Sequence, residues 1–146
     1  MPDEYAYVVN LTQVVFFVDQ CLSGRRIPST ITLASDCAAE RFIHHFKKNA
    51  EDVEWLPEIA RRNWVLVTKD RRIDQRPLER EAIINSDGRA FILVEPNMSG
   101  EVIGAVLRTA MPNMLDAIRW YRRPFIFGVE LSGDLTPRSD LIKQRG

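Results

Sequence analysis

The stretches Val14-Val15-Phe16-Phe17-Val18-Asp19 and Trp64-Val65-Leu66-Val67-Thr68-Lys69-Asp70 decide how the chain is read. Both are apolar runs rich in β-branched and aromatic residues, the pattern of strands buried on both faces, and both end at an aspartate. Such strands belong to parallel sheets, where polar sites form beyond the carboxyl ends of the strands. Asp19 and Asp70 are therefore expected on one rim. A third acid, Asp52, stands at the start of the segment that crosses over between the two runs. Three carboxylates on one rim suit a hard divalent cation, which takes oxygen donors.

Outward from these runs, strand-like and helix-like pieces alternate. Val53, Leu56, Ile59 and Ala60 share one face of an amphipathic helix between Asp52 and Arg62. Pro57 complicates its start, because proline is comfortable only in a first turn. Pro77 opens another helix with Leu78, Ala82, Ile83 and Ile84, closed by Ser86-Asp87-Gly88, and Arg89 to Val94 supplies a further central strand. From Ser99 to Tyr121, Val102, Ile103, Val106, Leu107, Met111, Met114, Leu115 and Ile118 recur at helical spacing, with Pro112 expected to break or kink the helix. Phe125 to Val129 reads as the last strand.

Three stretches are less regular. Ser23 is a candidate cap for a helix that Gly24 and Pro28 weaken before Ile31 and Leu33 give it an apolar face. Cys37 to Ile43 matches period two loosely and is read as a strand. Residues 1–13 read as a leader or extra edge strand, and 132–146 as a polar, poorly ordered tail. Residues 14–131 are thus expected to form one α/β domain, a mostly parallel central sheet flanked by helices in three layers.

At 146 residues, 45% of them hydrophobic, the chain suffices for one sizeable core and no second domain. Lys plus Arg (20) equals Asp plus Glu (20), so net charge gives no pull toward nucleic acid or membrane, and any such preference rests on local patches. Cys21 and Cys37 lack metal-ligand spacing and no secretory signal precedes them, so they read as reduced thiols of a cytoplasmic protein. No apolar stretch approaches the roughly 20 residues that span a bilayer, so no membrane role is expected.

Phe16-Phe17-Val18-Asp19, then Asp52-Val53-Glu54-Trp55-Leu56-Pro57-Glu58-Ile59-Ala60, then Val65-Leu66-Val67-Thr68-Lys69-Asp70, resemble in order and context the acidic motifs of PIN-like domains, in particular the compact VapC-type toxin group. The resemblance runs from residue 14 to about residue 130. It implies a metal-dependent endoribonuclease, the toxin component of a toxin–antitoxin pair, with Mg²⁺ or Mn²⁺ held by clustered carboxylates. RNA and a cognate antitoxin protein are the implied partners, and a homodimer is implied because small PIN-like proteins commonly pair. The long helix after Ser99 is the candidate dimer surface. Carried over residue by residue, Asp19, Asp52 and Asp70 are the acids of the site, and Thr68 orients Asp70 or a water. The family's additional glutamate, on a helix between the first and third acids, has no clear match. Glu40 is nearest by position, and Asp74, one turn beyond Asp70 if that loop is helical, is a candidate outer ligand.

Phosphodiester cleavage calls for a neutralised phosphate, a hydroxide at neutral pH and a stabilised leaving oxygen, and carboxylate-held divalent ions supply all three. Repulsion among the acids is expected to raise their pKa values without metal. Arginines recur after the acids: Arg25-Arg26 after Asp19, Arg61-Arg62 closing the crossover, and Arg71, Arg72 and Arg76 after Asp70. Arg25, Arg71, Arg72 and Arg76 are the candidates for gripping phosphates, against the bland alternative of a solvated face. Taken singly, each aspartate reads better as a turn, cap or loop residue; the ordered set reads as a site. His44-His45, Trp55, Trp64, Trp120, Met98, Met111 and Met114 read as structural. A catalytically degenerate PIN-like binding module is the alternative. A phosphoryl-accepting receiver-like domain expects an adjacent acid pair early in the chain, which Asp3-Glu4 does not supply.

Overall fold

The computed structural model describes residues 13–22 and 26–139. Strands β1 (Val15–Val18), β2 (Ala38–Arg41), β3 (Trp64–Thr68), β4 (Arg89–Leu93), β5 (Phe125–Val129) and β6 (Leu135–Pro137) form one sheet in the order β2-β1-β3-β4-β5-β6. The first five are parallel and β6 runs antiparallel to β5. Helices α1 (Arg26–Ser35), α2 (Asp52–Arg61), α3 (Pro77–Asn85) and α4 (Gly100–Trp120) cover its two faces.

The period-two alternation of each central strand sorts two apolar sets onto opposite faces. Phe16, Val18, Val65, Val67, Phe91 and Phe125 pack with Ile27 and Ile31 of α1 and with Ile103, Leu107, Met111 and Met114 of α4. Phe17, Leu66, Ile92 and Ile126 face the other way, against Trp55, Leu56 and Ile59 of α2 and Ile83 of α3. The result is the three-layer α/β domain that the alternating pattern predicts. Strand order reverses between β1 and β3, and the crevice beyond the carboxyl ends of such a pair is where open α/β sheets place their ligands.

Local differences from the sequence reading have physical causes. Helix α2 begins at Asp52 and runs through Pro57; the carbonyl that Pro57 leaves unbonded is that of Val53, an exposed residue. The buried face of α2 is Trp55, Leu56, Ile59 and Ala60, so Trp55 and not Val53 faces the core. Likewise α4 runs unbroken through Pro112, whose freed carbonyl belongs to exposed Arg108. Ser99 caps α4 by accepting from the Val102 amide at 3.3 Å. The apolar residues assigned to a dimer surface on this helix are taken up by the core, except exposed Val102 and partly buried Leu115. Leu33 points away from the core of α1, 88% exposed. Cys37 to Ile43 divides into β2 and a 3-10 turn, Phe42–His44. The expected loose tail instead opens with β6, tied to β5. Residues 1–12 of the leader, the Ser23 cap with Gly24 and Arg25, and residues 140–146 lie outside the described residues.

Candidate active site

Asp19 directly follows β1, and its amide donates to the Val67 carbonyl at 3.0 Å, carrying the β1–β3 ladder one residue further. This places its carboxylate at the end of β3. Oδ1 accepts from the Gln20 amide (2.6 Å), and Oδ2 accepts from the Thr68 hydroxyl (2.7 Å), with the Cys21 thiol at 3.5 Å. Thr68 ends β3 fully buried, and its Oγ1 also accepts from the Asp70 amide at 3.0 Å. One hydroxyl therefore ties the side chain of the first acid to the backbone of the third. Asp70 Oδ1 accepts from the Arg72 amide (3.2 Å) and Oδ2 from Arg76 Nη2 (2.5 Å). Asp52 is the first residue of α2, and its Oδ1 accepts from the indole N–H of buried Trp55 at 3.1 Å, while Oδ2 lies 3.7 Å from Arg76 Nη2. All three acids line one open cleft of about 560 Å³, together with Gln20, Cys21, Lys48, Lys69 and Trp55.

Burial is the main reason the Asp19 carboxyl is pushed above its ordinary pKa; the Asp70 charge adds to this, and the bonds from Thr68, Gln20 and Cys21 oppose it. Asp52 is also raised, first by burial and then by the charges of Asp19 and Glu79, against Trp55 and Arg76. Like-charge repulsion is thus present, as the clustering predicts, but it is the smaller cause. The Cys21 thiol is raised by burial and by Asp19, which keeps it a neutral donor.

A family model described as a PIN-like domain matches residues 14–95, from the residue before β1 to just past β4, and contains all three acids. The chain belongs to the PIN-like domain family. No curated protein and no solved structure matches it. PIN-like domains are nucleases as a class, so the fold is of nuclease type.

The remaining candidates of this PIN-like domain separate into those at the cleft and those elsewhere. Arg71 and Arg72 are exposed on the turn after Asp70. Arg76 turns back onto the acids instead of outward, bonded to Asp70 and, through Nε at 3.2 Å, to Glu79. Asp74 does not line the cleft; residues 71–75 form turns and not a helix, and its buried carboxylate accepts from Arg138 Nε (2.8 Å) and Nη2 (2.9 Å). Glu40 is turned to His45, 3.2 Å from Nε2, while Arg62 meets the other ring nitrogen at 3.2 Å. His45 thus serves the β2 edge, edge-on to Trp64, and His44 is exposed at the end of the 3-10 turn. Cys21, Lys48, Lys69 and Glu79 are the site residues that sequence reasoning passed over. Glu79 alone carried a signal, an acid in the first turn of a helix opened by Pro77.

Among the described residues, no group of three His, Cys, Asp or Glu side chains is close enough to hold an ion among them. The donor chemistry nevertheless suits Mg²⁺ or Mn²⁺, which need few carboxylates and keep several waters. A cation already lies against two of these acids, namely the Arg76 guanidinium facing Asp70 and Asp52. No helix among the described residues is long and apolar enough to cross a membrane.

Proposed function

We propose that this PIN-like domain is a metal-dependent endoribonuclease that hydrolyses RNA phosphodiesters with Mg²⁺ or Mn²⁺ held by Asp19, Asp52 and Asp70. One observation carries the reading: the ends of β1 and β3 and the first turn of α2 bring these carboxylates to a single open cleft at the point where strand order reverses. The bound ion would neutralise phosphate charge and lower the pKa of a bound water. The protein's part is positional. Thr68 fixes the Asp19 carboxylate against Asp70, Trp55 fixes Asp52, and Lys48 and Lys69 on the cleft wall offer charge to a phosphate. Arg71 and Arg72 extend that charge along the rim. The reading includes a toxin neutralised by a cognate antitoxin protein, acting in the cytoplasm as a homodimer.

A degenerate binding module is the second reading, supported by the protein donors already on Asp19 and Asp70. The deciding experiment is cleavage of a panel of structured and single-stranded RNAs with Mg²⁺ or Mn²⁺, comparing the wild type, Asp19→Asn and an EDTA control. Metal-dependent cutting lost in Asp19→Asn is expected. No cutting by folded wild type in saturating metal refutes the nuclease and favours the binding module.

A further inference from the structure

Arg76 caps α3 and immediately precedes Pro77, which holds its backbone extended (φ −87°, ψ 119°) and so fixes where its side chain starts. From there one guanidinium meets acids from three elements. Nη2 is 2.5 Å from Asp70 Oδ2 and 3.7 Å from Asp52 Oδ2, while Nε is 3.2 Å from Glu79 Oε1. The division of labour between its ends matters. The Nη2 end touches two of the acids assigned to a divalent ion, and the Nε end rests on Glu79, which is not one of them. Letting go of Asp70 and Asp52 therefore leaves Arg76 anchored to its own helix, one turn away.

We propose that Arg76 is a tethered cation that occupies the ion site, is displaced from Asp70 and Asp52 when a divalent ion binds, and is retained by Glu79. This rests on the metal-site reading above and adds that metal loading is an exchange of one cation for another. Ion affinity is then reduced by the fraction of molecules in which the guanidinium is in place, as for any ligand whose binding-competent state is only partly populated. The carboxylates of Asp70 and Asp52 face the Arg76 guanidinium and do not wait as an open cage.

The test is binding of Mn²⁺ to the metal-free full chain, read by calorimetry and by the loss of the free Mn²⁺ resonance signal, neither of which depends on cleavage. Arg76→Gln is expected to bind Mn²⁺ about tenfold more tightly than wild type. Arg76→Lys keeps the charge but loses the planar fork that meets Glu79 and the two aspartates together, and is expected to tighten binding several-fold. Asp70→Asn should lose most of the binding. Arg76→Gln binding as wild type or more weakly overturns the exchange while leaving the metal site standing. Tighter binding by Arg76→Gln with Arg76→Lys unchanged also overturns it, because charge alone then explains the effect. No Mn²⁺ binding by any variant at millimolar ion removes both the exchange and the metal site. Should Arg76→Gln not fold, Arg76→Lys against wild type decides.

Discussion

Removal of the Arg138 side chain is expected to unlatch the loop that carries Asp70 and Arg76. Asp74 in that loop is 8% exposed, and both its carboxylate oxygens accept from Arg138, Nε at 2.8 Å and Nη2 at 2.9 Å. Nη2 also donates to the Arg71 carbonyl at 3.0 Å. The backbone of Arg138 is itself held, its amide donating to Ile126 (2.9 Å) and its carbonyl accepting from Arg80 (3.2 Å), so the guanidinium is presented to the loop from a fixed base. Arg138→Ala strands a buried carboxylate. Breaking a buried pair from one side costs about 3–5 kcal/mol, and water entry past a side chain already 23% exposed reduces the expectation here to about 2–3 kcal/mol. At about 2–4 °C per kcal/mol for a domain of this size, Tm should fall by about 5–10 °C. Thermal unfolding followed by near-UV circular dichroism measures this, and a cycle with Asp74→Ala isolates the pair. Asp74→Ala combined with Arg138→Ala should cost less than the sum of the single changes by at least about 1 kcal/mol. A fall under about 2 °C for Arg138→Ala, with additive single changes, would refute the latch.

Three other outcomes follow from the cleft. Thr68→Val removes a hydroxyl that donates to Asp19 and accepts from the Asp70 amide, and should cost about 1–3 kcal/mol in urea unfolding and weaken Mn²⁺ binding, whereas Thr68→Ser should restore both. Asp19 and Asp52 are raised, chiefly by burial, above the ordinary 3.8, so the folded chain binds protons more tightly than the unfolded one between that value and the raised pKa. Their contribution to stability therefore falls as pH rises through this window and is at its lowest above it. The stability difference between metal-free wild type and Asp19→Asn should accordingly shift in favour of wild type on acidification; a pH-independent difference would count against it. Replacing Arg71 and Arg72 together by alanine should weaken RNA binding and reduce the salt slope by about 1.4 for single strands, and an unaltered slope would return both to the solvated surface.

The central strands were legible because burial on both faces leaves a continuous apolar run, and the ends of two such runs located two acids. The edges were not. Strand β2, Ala-Ala-Glu-Arg, is only partly covered and has no core-facing alternation, and β6 is a mostly exposed strand of three residues, too short to show a period, formed by antiparallel pairing with the preceding β5. Pro57 and Pro112 read as interruptions because a missing donor is a local cost. Their freed carbonyls belong to exposed residues Val53 and Arg108, so packing of the buried faces prevails. In α2 the apolar spacing includes Val53, yet Val53 faces out and Trp55 takes the inward position, where it both fills the core and bonds Asp52.

Spacing along a chain carries no information on direction, which is why Arg76 reads like its two neighbours. Arg71, Arg72 and Arg76 look alike as a basic run after Asp70, yet the first two lie on exposed turns while the third, fixed by Pro77 at a helix start, folds back onto the acids. Asp74 failed for a related reason: a turn-by-turn offset from Asp70 presumes a helix, whereas the loop closes by successive turns, Ile73 to Asp70 at 3.2 Å and Gln75 to Arg72 at 2.9 Å, that drive Ile73 into the core and Asp74 onto Arg138. The same geometry changes the electrostatic picture of the cleft. A purely repulsive acid cluster would store the energy that an ion releases, but here Asp70 is already paired, Asp52 has Arg76 within 4 Å, and burial outranks repulsion for Asp19 and Asp52. On the proposed exchange an incoming ion would have to outcompete a guanidinium for the same oxygens, which would make its affinity sensitive to residue 76 as well as to the aspartates themselves.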